Sequence, residues 1–402
     1  MTQQAKARPT GHRKSKKPHY YLTYSQSLSL IASTIIGVGV LTLPRSTTAD
    51  AHQHGWVAVL IALLCAMATV VIIGKLCARF PGRTLVELCR ELLGSKKRPW
   101  VGNVLAFPII LLYTLFWLTV TGLVARTFGE VVVTAVLVNT PLEVIVGTML
   151  FLCFYLSFFD SEVVARVNEV LLVIIVVPVL FISVSAYQNA KFEYIMPLIP
   201  TMHLMGIAMA ILPAMDTFLG LEILLMFNGN LKHDKKLLRY QVYGVLVPGI
   251  VYLLIVIAGT MSFGYEELSR QAWPTLELIK SVNVPGLILE RLEAVFLGVW
   301  VAAVFTTAGN WFYCANWSFK KLLGIKKPLW TSLFCYAASY FIAMKVAQNI
   351  QELFYYLEMV GYFGILVAVV LPLCFLLLAI VRKMDGREAE SGGKEASLHE
   401  AS

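Results

Sequence analysis

The chain has 402 residues, 58% hydrophobic and 14% charged, with a net charge of +9. Soluble domains run at about 45–50% apolar and 25% charged; here the apolar excess is gathered into long runs, which excludes a soluble globule and points to an all-α polytopic membrane protein. The positive charge does not indicate nucleic acid, because basic residues flanking the cytoplasmic ends of spans account for it.

Residues 1–20 form a polar, basic tail from Lys6 to Lys17 and, with the polar tail 385–402, are expected to be disordered. The first apolar segment is full-length and lacks a small-residue cleavage site, so no cleaved signal peptide is expected. Between the tails lies a membrane domain, 21–384. Its ten transmembrane helices are expected near 25–44, 56–77, 103–125, 142–159, 163–187, 204–227, 240–263, 288–317, 329–347 and 357–381.

The first span carries Gly37-Val38-Gly39 at its centre and Pro44 at its end. No strand precedes the glycines, so a nucleotide loop is rejected. Two readings stay open: close helix packing through small residues, or an unwound turn whose N–H groups face a ligand carboxylate. Pro44 suggests an irregular finish. His52 and His54 follow in a loop without a carboxylate cluster, and are read as solvated residues rather than metal ligands.

Residues 81–94 read as a short amphipathic cytoplasmic helix, capped by Thr84 with Glu87 three residues on and stopped by Gly94. In the third span Phe116 and Val120 lie one turn apart; core packing is the plain reading, and a pocket-facing row depends on the fold. The sixth span holds Pro213, Asp216, Gly220 and Glu222 inside an apolar run. Proline removes a donor and glycine permits a break. An ionisable residue at midplane costs at least about 2.5–3.5 kcal/mol and usually faces a cavity or a partner. Glu222 is read as a capping or pairing residue across the bundle; Asp216 is read either as lying near the outer interface or in a polar pocket without a ligand role, or as facing a cationic group of a ligand or a bound cation.

Residues 265–286 read as an outer loop containing one or two helices. Glu290-Arg291-Leu292-Glu293 opens the eighth span and suits a structural salt-bridge network. Further along, Thr307 and Trp311 share a helix face. They suit an amino-acid-sized ligand. Thr306 and Thr307 together could instead supply oxygens to a cation, or bond their own i−4 carbonyls.

With the N-terminus inside, only Arg45, Arg126, Lys191, Arg270, Lys280, Arg291 and Lys345 of the 33 basic residues fall outside. Both termini are then cytoplasmic and the span count is even. Five plus five is the natural partition, with repeats at about 25–187 and 204–381. The breaks in helices 1 and 6 take equivalent places in opposed halves, the LeuT-type 5+5 inverted repeat. Seven cysteines make no metal-ligand or disulfide spacing. No nucleophile–base set or phosphate loop is visible, so neither an enzyme, a cofactor nor a metal site is expected.

Four stretches, Thr34-Ile35-Ile36-Gly37-Val38-Gly39-Val40-Leu41-Thr42-Leu43-Pro44-Arg45, Phe218-Leu219-Gly220-Leu221-Glu222, Trp273-Pro274-Thr275 and Glu290-Arg291-Leu292-Glu293 running on to Phe305-Thr306-Thr307, resemble the endospore germination permeases. These are the B subunits of nutrient germinant receptors, a branch of the amino acid–polyamine–organocation superfamily. The resemblance covers about 20–385. It implies a LeuT-type fold in the spore inner membrane, in complex with an A subunit and a C lipoprotein subunit. It also implies a small nutrient ligand such as an amino acid, sugar or nucleoside, an amino acid first, whose binding signals germination. Carried over by position, the pocket would involve Gly37, Phe116, Val120, Leu219, Thr307 and Trp311; the residues themselves add Gly39, Asp216 and Gly220. Trp311 is bulkier than the Tyr the pattern leads one to expect, and Asp216 is not typical of it. The basic tail suits anionic lipid. The alternative is an amino-acid or amine carrier coupled to H⁺ or Na⁺.

Overall fold

The computed structural model describes residues 21–94, 99–198, 204–232, 234–282, 292–325 and 327–384. The two tails and Glu290-Arg291 lie outside them. Among the described residues the architecture is helical, with an isolated backbone bridge between Leu22 and Leu231. In chain order the α-helices are α1 Tyr24–Ile35, α2 Gly39–Ala51, α3 Gly55–Arg79, α4 Leu85–Leu93, α5 Pro99–Ala135, α6 Leu142–Leu156, α7 Ser161–Ser185 and α8 Leu204–Asp216. They continue as α9 Leu224–Phe227, α10 Lys235–Phe263, α11 Tyr265–Arg270, α12 Pro274–Lys280, α13 Leu292–Leu323, α14 Pro328–Lys345, α15 Ile350–Ile365 and α16 Leu371–Val381.

Six helical segments among the described residues are long and apolar enough to cross a membrane: Gly39–Arg79, Trp100–Ala135, Ser161–Gln188, Lys235–Phe263, Glu293–Leu323 and Ile350–Val381. The pair Leu204–Asp216 and Leu221–Asn230, bent by 41°, makes a seventh if it is one span. The other expected spans fall short for visible reasons. The chain breaks after 12 residues of α1, and α6 is only 15 residues long. In α14 the apolar run is diluted by Thr331, Ser332 and Ser339, which face inward. Leu, Val and Phe side chains around the outside are exposed, as a lipid-facing surface requires.

Both expected helix breaks are present, and both correct a detail. In the first, Ile36 at φ −75°, ψ 65° makes an inverse γ-turn, with Gly37 N–H donating to Ile35 O at 2.8 Å. The helix resumes at Gly39 and runs straight through Pro44 to Ala51. Pro44 sits in the second turn, where it deletes one donor, to Val40 O, and the Thr275 hydroxyl supplies that bond at 2.6 Å. The sixth-span break comes not at Pro213, which α8 accommodates, but after Asp216, ending at Gly220 in the left-handed conformation with φ 114°.

On the side read as cytoplasmic, α4 forms as expected. Thr84 and Glu87 make a reciprocal capping box, and Gly94 ends the helix. Lys321 at the end of α13 donates to Thr84 Oγ1 at 2.8 Å and Glu87 Oε1 at 3.0 Å. Burial pushes the Glu87 carboxyl up, but the Thr84 N–H, Lys321 and the Thr84 hydroxyl outweigh it and hold the group below its ordinary value. Asn228 donates to Phe80 O and Arg83 O at 2.8 and 2.6 Å, tying the end of the sixth-span pair to the start of this helix.

At the opposite end the expected loop contains α11 and α12. His54 corrects the expectation of a solvated loop residue: it is buried, and its Nε2 lies 2.8 Å from Pro197 O. A carbonyl brought in from 143 residues away gives the ring a partner that the local sequence does not reveal.

Candidate ligand site at the two helix breaks

A helix that stops inside a membrane domain leaves its last carbonyls without partners. At the end of α1 each finds one. Ser33 O accepts from the Thr306 hydroxyl at 3.2 Å and the Thr307 hydroxyl at 3.1 Å, and Thr34 O accepts from Thr307 at 3.0 Å. Ile35 O accepts from Tyr252 Oη at 2.7 Å, and Gly37 O from the Trp300 indole at 3.1 Å. Tyr252 Oη also lies 3.3 Å from Thr217 O, so one hydroxyl touches both breaks.

A polar knot behind the first break fixes its approach. Asn168 and Asn310 exchange two bonds of 2.9 and 2.8 Å, Asn310 also donates to Thr34 Oγ1 at 2.7 Å, and the Ser33 hydroxyl donates to Asn168. All four side chains are buried. The glycines fit this close approach. A Cβ on Gly37 would stand 2.5 Å from Thr307 Oγ1, and one on Gly220 would stand 2.6 Å from Thr34 Cγ2.

Between the breaks lies a cavity of about 90 Å³. Of the residues expected at a ligand site, Gly39, Val120, Asp216, Leu219, Thr307 and Trp311 line it. Gly37, Phe116, Gly220 and Thr306 stand behind the lining: Gly37 and Gly220 shape the turns, Thr306 caps α1, and Phe116 packs against Gly364 and Phe363. The wall also includes Thr34, Ile35, Val38, Thr42 and Thr217. Leu357, Val360 and Gly361 on α15 also line it. Their i, i+3, i+4 spacing is a helix face legible in sequence, but nothing local marks it as facing a cavity. The hydroxyls of Thr306 and Thr307 point at Ser33 O and Thr34 O; a hard cation placed there would use these same four oxygens.

Asp216 stands at the end of α8, and among the described residues its carboxylate makes no hydrogen bond or ion pair. It lies against Gly361, where a Cβ would come within 2.5 Å of its Cγ. Asp216, Thr42, Thr217 and Leu357 also line a second cavity of about 230 Å³, reached by Arg45, Asp50 and Glu358. Arg45 holds its guanidinium 4.2 Å over the Phe354 ring. The two cavities thus share one wall, with Asp216 in it.

Glu222 takes the anchoring role expected of it, with partners the sequence does not disclose. It is fully buried. Its Oε1 accepts from the Trp311 indole at 2.8 Å and the Trp117 indole at 3.2 Å, and its Oε2 accepts from Gly220 N–H at 2.9 Å. The one polar atom of Trp311 is therefore bound to a carboxylate that does not line the cavity, while Trp311 itself does. No group of three or more His, Cys, Asp or Glu suited to a metal occurs among the described residues.

Comparison with known proteins places this arrangement. A family model described as spore germination protein matches residues 21–352. Spore germination protein A2 of Bacillus subtilis (strain 168) is 25% identical over 360 residues, 89% of this chain and 96% of that protein. Spore germination protein YndE of the same organism is 25% identical over 367 residues, 91% and 98% of the two chains. Spore germination protein GerQB of Bacillus cereus is 27% identical over 300 residues, 74% and 79%. With the family match running from before the first helix break to the start of α15, this helical membrane chain belongs to the spore germination protein family.

Proposed function

We propose that this chain is the membrane subunit of a germinant receptor, binding one small nutrient, an amino acid, in the cavity between the two helix breaks. The observation that carries the reading is that groups of opposite polarity line that cavity. Gly39 opens α2, where the first N–H groups lack intrahelical acceptors and the dipole is positive, which suits a carboxylate. Asp216 closes α8 facing the same space, which suits an ammonium group. Val120, Leu219 and Val360 offer apolar walls for a side chain. Ligand favours the conformation it fits better, and the shift passes to partner subunits by that difference in affinity.

The reading carries further assignments. The partners are a receptor A subunit and a C lipoprotein, and the membrane is the spore inner membrane, with both termini cytoplasmic. The ten spans follow the LeuT-type 5+5 order, α1 with α2 forming the first and α8 with residues 221–230 the sixth. The helix breaks in those two pairs and the distribution of basic residues support it. No chemistry beyond binding is assigned. The alternative, a carrier coupled to H⁺ or Na⁺, draws on the same cavity, with Thr306 and Thr307 as its cation oxygens. Labelled L-alanine separates the two in proteoliposomes holding this chain alone. Saturable binding without uptake supports the receptor reading; concentrative uptake overturns it in favour of the carrier.

A further inference from the structure

We infer that Glu222 is a specificity-determining positioning residue: it seats the Trp311 indole as one wall of the cavity and so restricts the ligand to a compact side chain. This rests on the reading that the cavity takes a ligand. Trp311 lines the cavity and Glu222 does not, so Glu222 acts on a ligand through its neighbours.

One carboxyl group joins three elements around the cavity. Its bonds to Trp311 on α13 and Trp117 on α5 share Oε1, and its bond to Gly220 N–H holds the left-handed turn that carries Leu219 into the lining. An indole has a single polar atom and two rotatable side-chain bonds, so a bond at that atom fixes the ring plane. Among the described residues the partners of Glu222 are neutral N–H groups. With two indole donors meeting at one oxygen, the group holds the rings in mutual register. Trp311 is 5% exposed and the cavity measures about 90 Å³. The seated ring bounds this small space on the α13 side. The ligand class is an amino acid with a side chain no larger than valine's. Releasing the ring lets it leave its rotamer and enlarges the space in the direction of α13.

The test uses the full-length protein in lipid nanodiscs and thermal-shift titrations with glycine, L-alanine, L-valine, L-leucine and L-phenylalanine. Wild type is expected to prefer the three smaller ligands. Trp311→Phe and Glu222→Leu should each move the leucine-to-alanine affinity ratio about tenfold toward leucine, the scale of a methylene in an apolar pocket. The double variant should move it no further than either single change. Glu222→Gln keeps one acceptor oxygen for the two indoles but sets its NH2 against Gly220 N–H, so it should hold the ratio near the wild-type value while lowering stability. Glu222→Asp withdraws the carboxyl by one methylene and should shift the ratio in the same direction as Glu222→Leu, and it stands in if that variant does not fold. An unchanged ratio, or an equal loss for all five ligands, overturns the inference.

If none of the five binds any variant, the amino-acid reading itself fails, and the seat is judged separately. The ultraviolet resonance Raman band that reports indole N–H bonding, taken as wild type minus Trp311→Phe, should show a bonded Trp311. It should keep its position in Glu222→Gln and move in Glu222→Leu or Glu222→Asp. A band that stays in place in the last two overturns the seat.

Discussion

The Thr275 hydroxyl donates to Val40 O at 2.6 Å, replacing the N–H that Pro44 lacks. A loop helix thereby completes the ladder of a helix that borders the cavity. Thr275→Val should leave that buried carbonyl unpaired and cost about 1–3 kcal/mol in thermal unfolding. Pro44→Ala in the same chain restores the N–H and should recover most of the loss. A double variant as unstable as Thr275→Val alone would show that the two groups do not substitute for each other.

Gly37→Ala sets a Cβ 2.5 Å from Thr307 Oγ1 and 2.8 Å from Thr307 Cγ2. Overpacking of this kind costs about 1–3 kcal/mol, and here it pushes apart α13 and the α1–α2 turn. The expected outcome is a lower unfolding temperature together with weaker ligand binding. Thr307→Ala added to Gly37→Ala should recover part of the stability, because it removes the two closest atoms, although the bonds to Ser33 O and Thr34 O go with them. Gly37→Ala with wild-type stability and binding would contradict the packing described.

The pH response of α4 follows from Glu87. Burial pushes this carboxyl up from 4.5, but the Thr84 N–H, Lys321 and the Thr84 hydroxyl hold it below that value in the folded chain. A depressed carboxyl stabilises the fold above its unfolded value and loses that contribution as pH falls through the folded value. Hydrogen-exchange protection of residues 85–93, corrected for intrinsic rates, should therefore be flat above about pH 6 and fall below 4.5. Glu87→Gln should remove that acid-side fall and lower protection at neutral pH. A wild-type profile with no loss on the acid side would rule out the capping contribution.

What the sequence made legible was local. The α4 helix follows from Thr84, Glu87 and Gly94, all within eleven residues, and the structure has each in its expected role. The breaks were legible as glycines inside apolar runs. Their limits were not, because proline's effect depends on what replaces its lost bond: Thr275 does so for Pro44, and α8 passes Pro213 without stopping. Long-range pairs were out of reach. Asn168 and Asn310 signal themselves as polar residues in apolar spans, yet nothing along the chain says they bond each other across 142 positions. Trp311 shares a helix face with Thr307 in the sequence, and both line the cavity, but its indole is held by Glu222, 89 residues away.

The central claim is that the space between the helix breaks holds a small amino acid. Equilibrium binding of glycine, L-alanine and L-valine to the full-length protein in nanodiscs, beside Val120→Phe, tests it most directly. Val120 lines the cavity and is 7% exposed, so a phenyl ring there fills much of the space. The account predicts saturable binding of at least one of the three to wild type and its loss in a folded Val120→Phe. No binding to wild type, or equal binding to both chains, would contradict it.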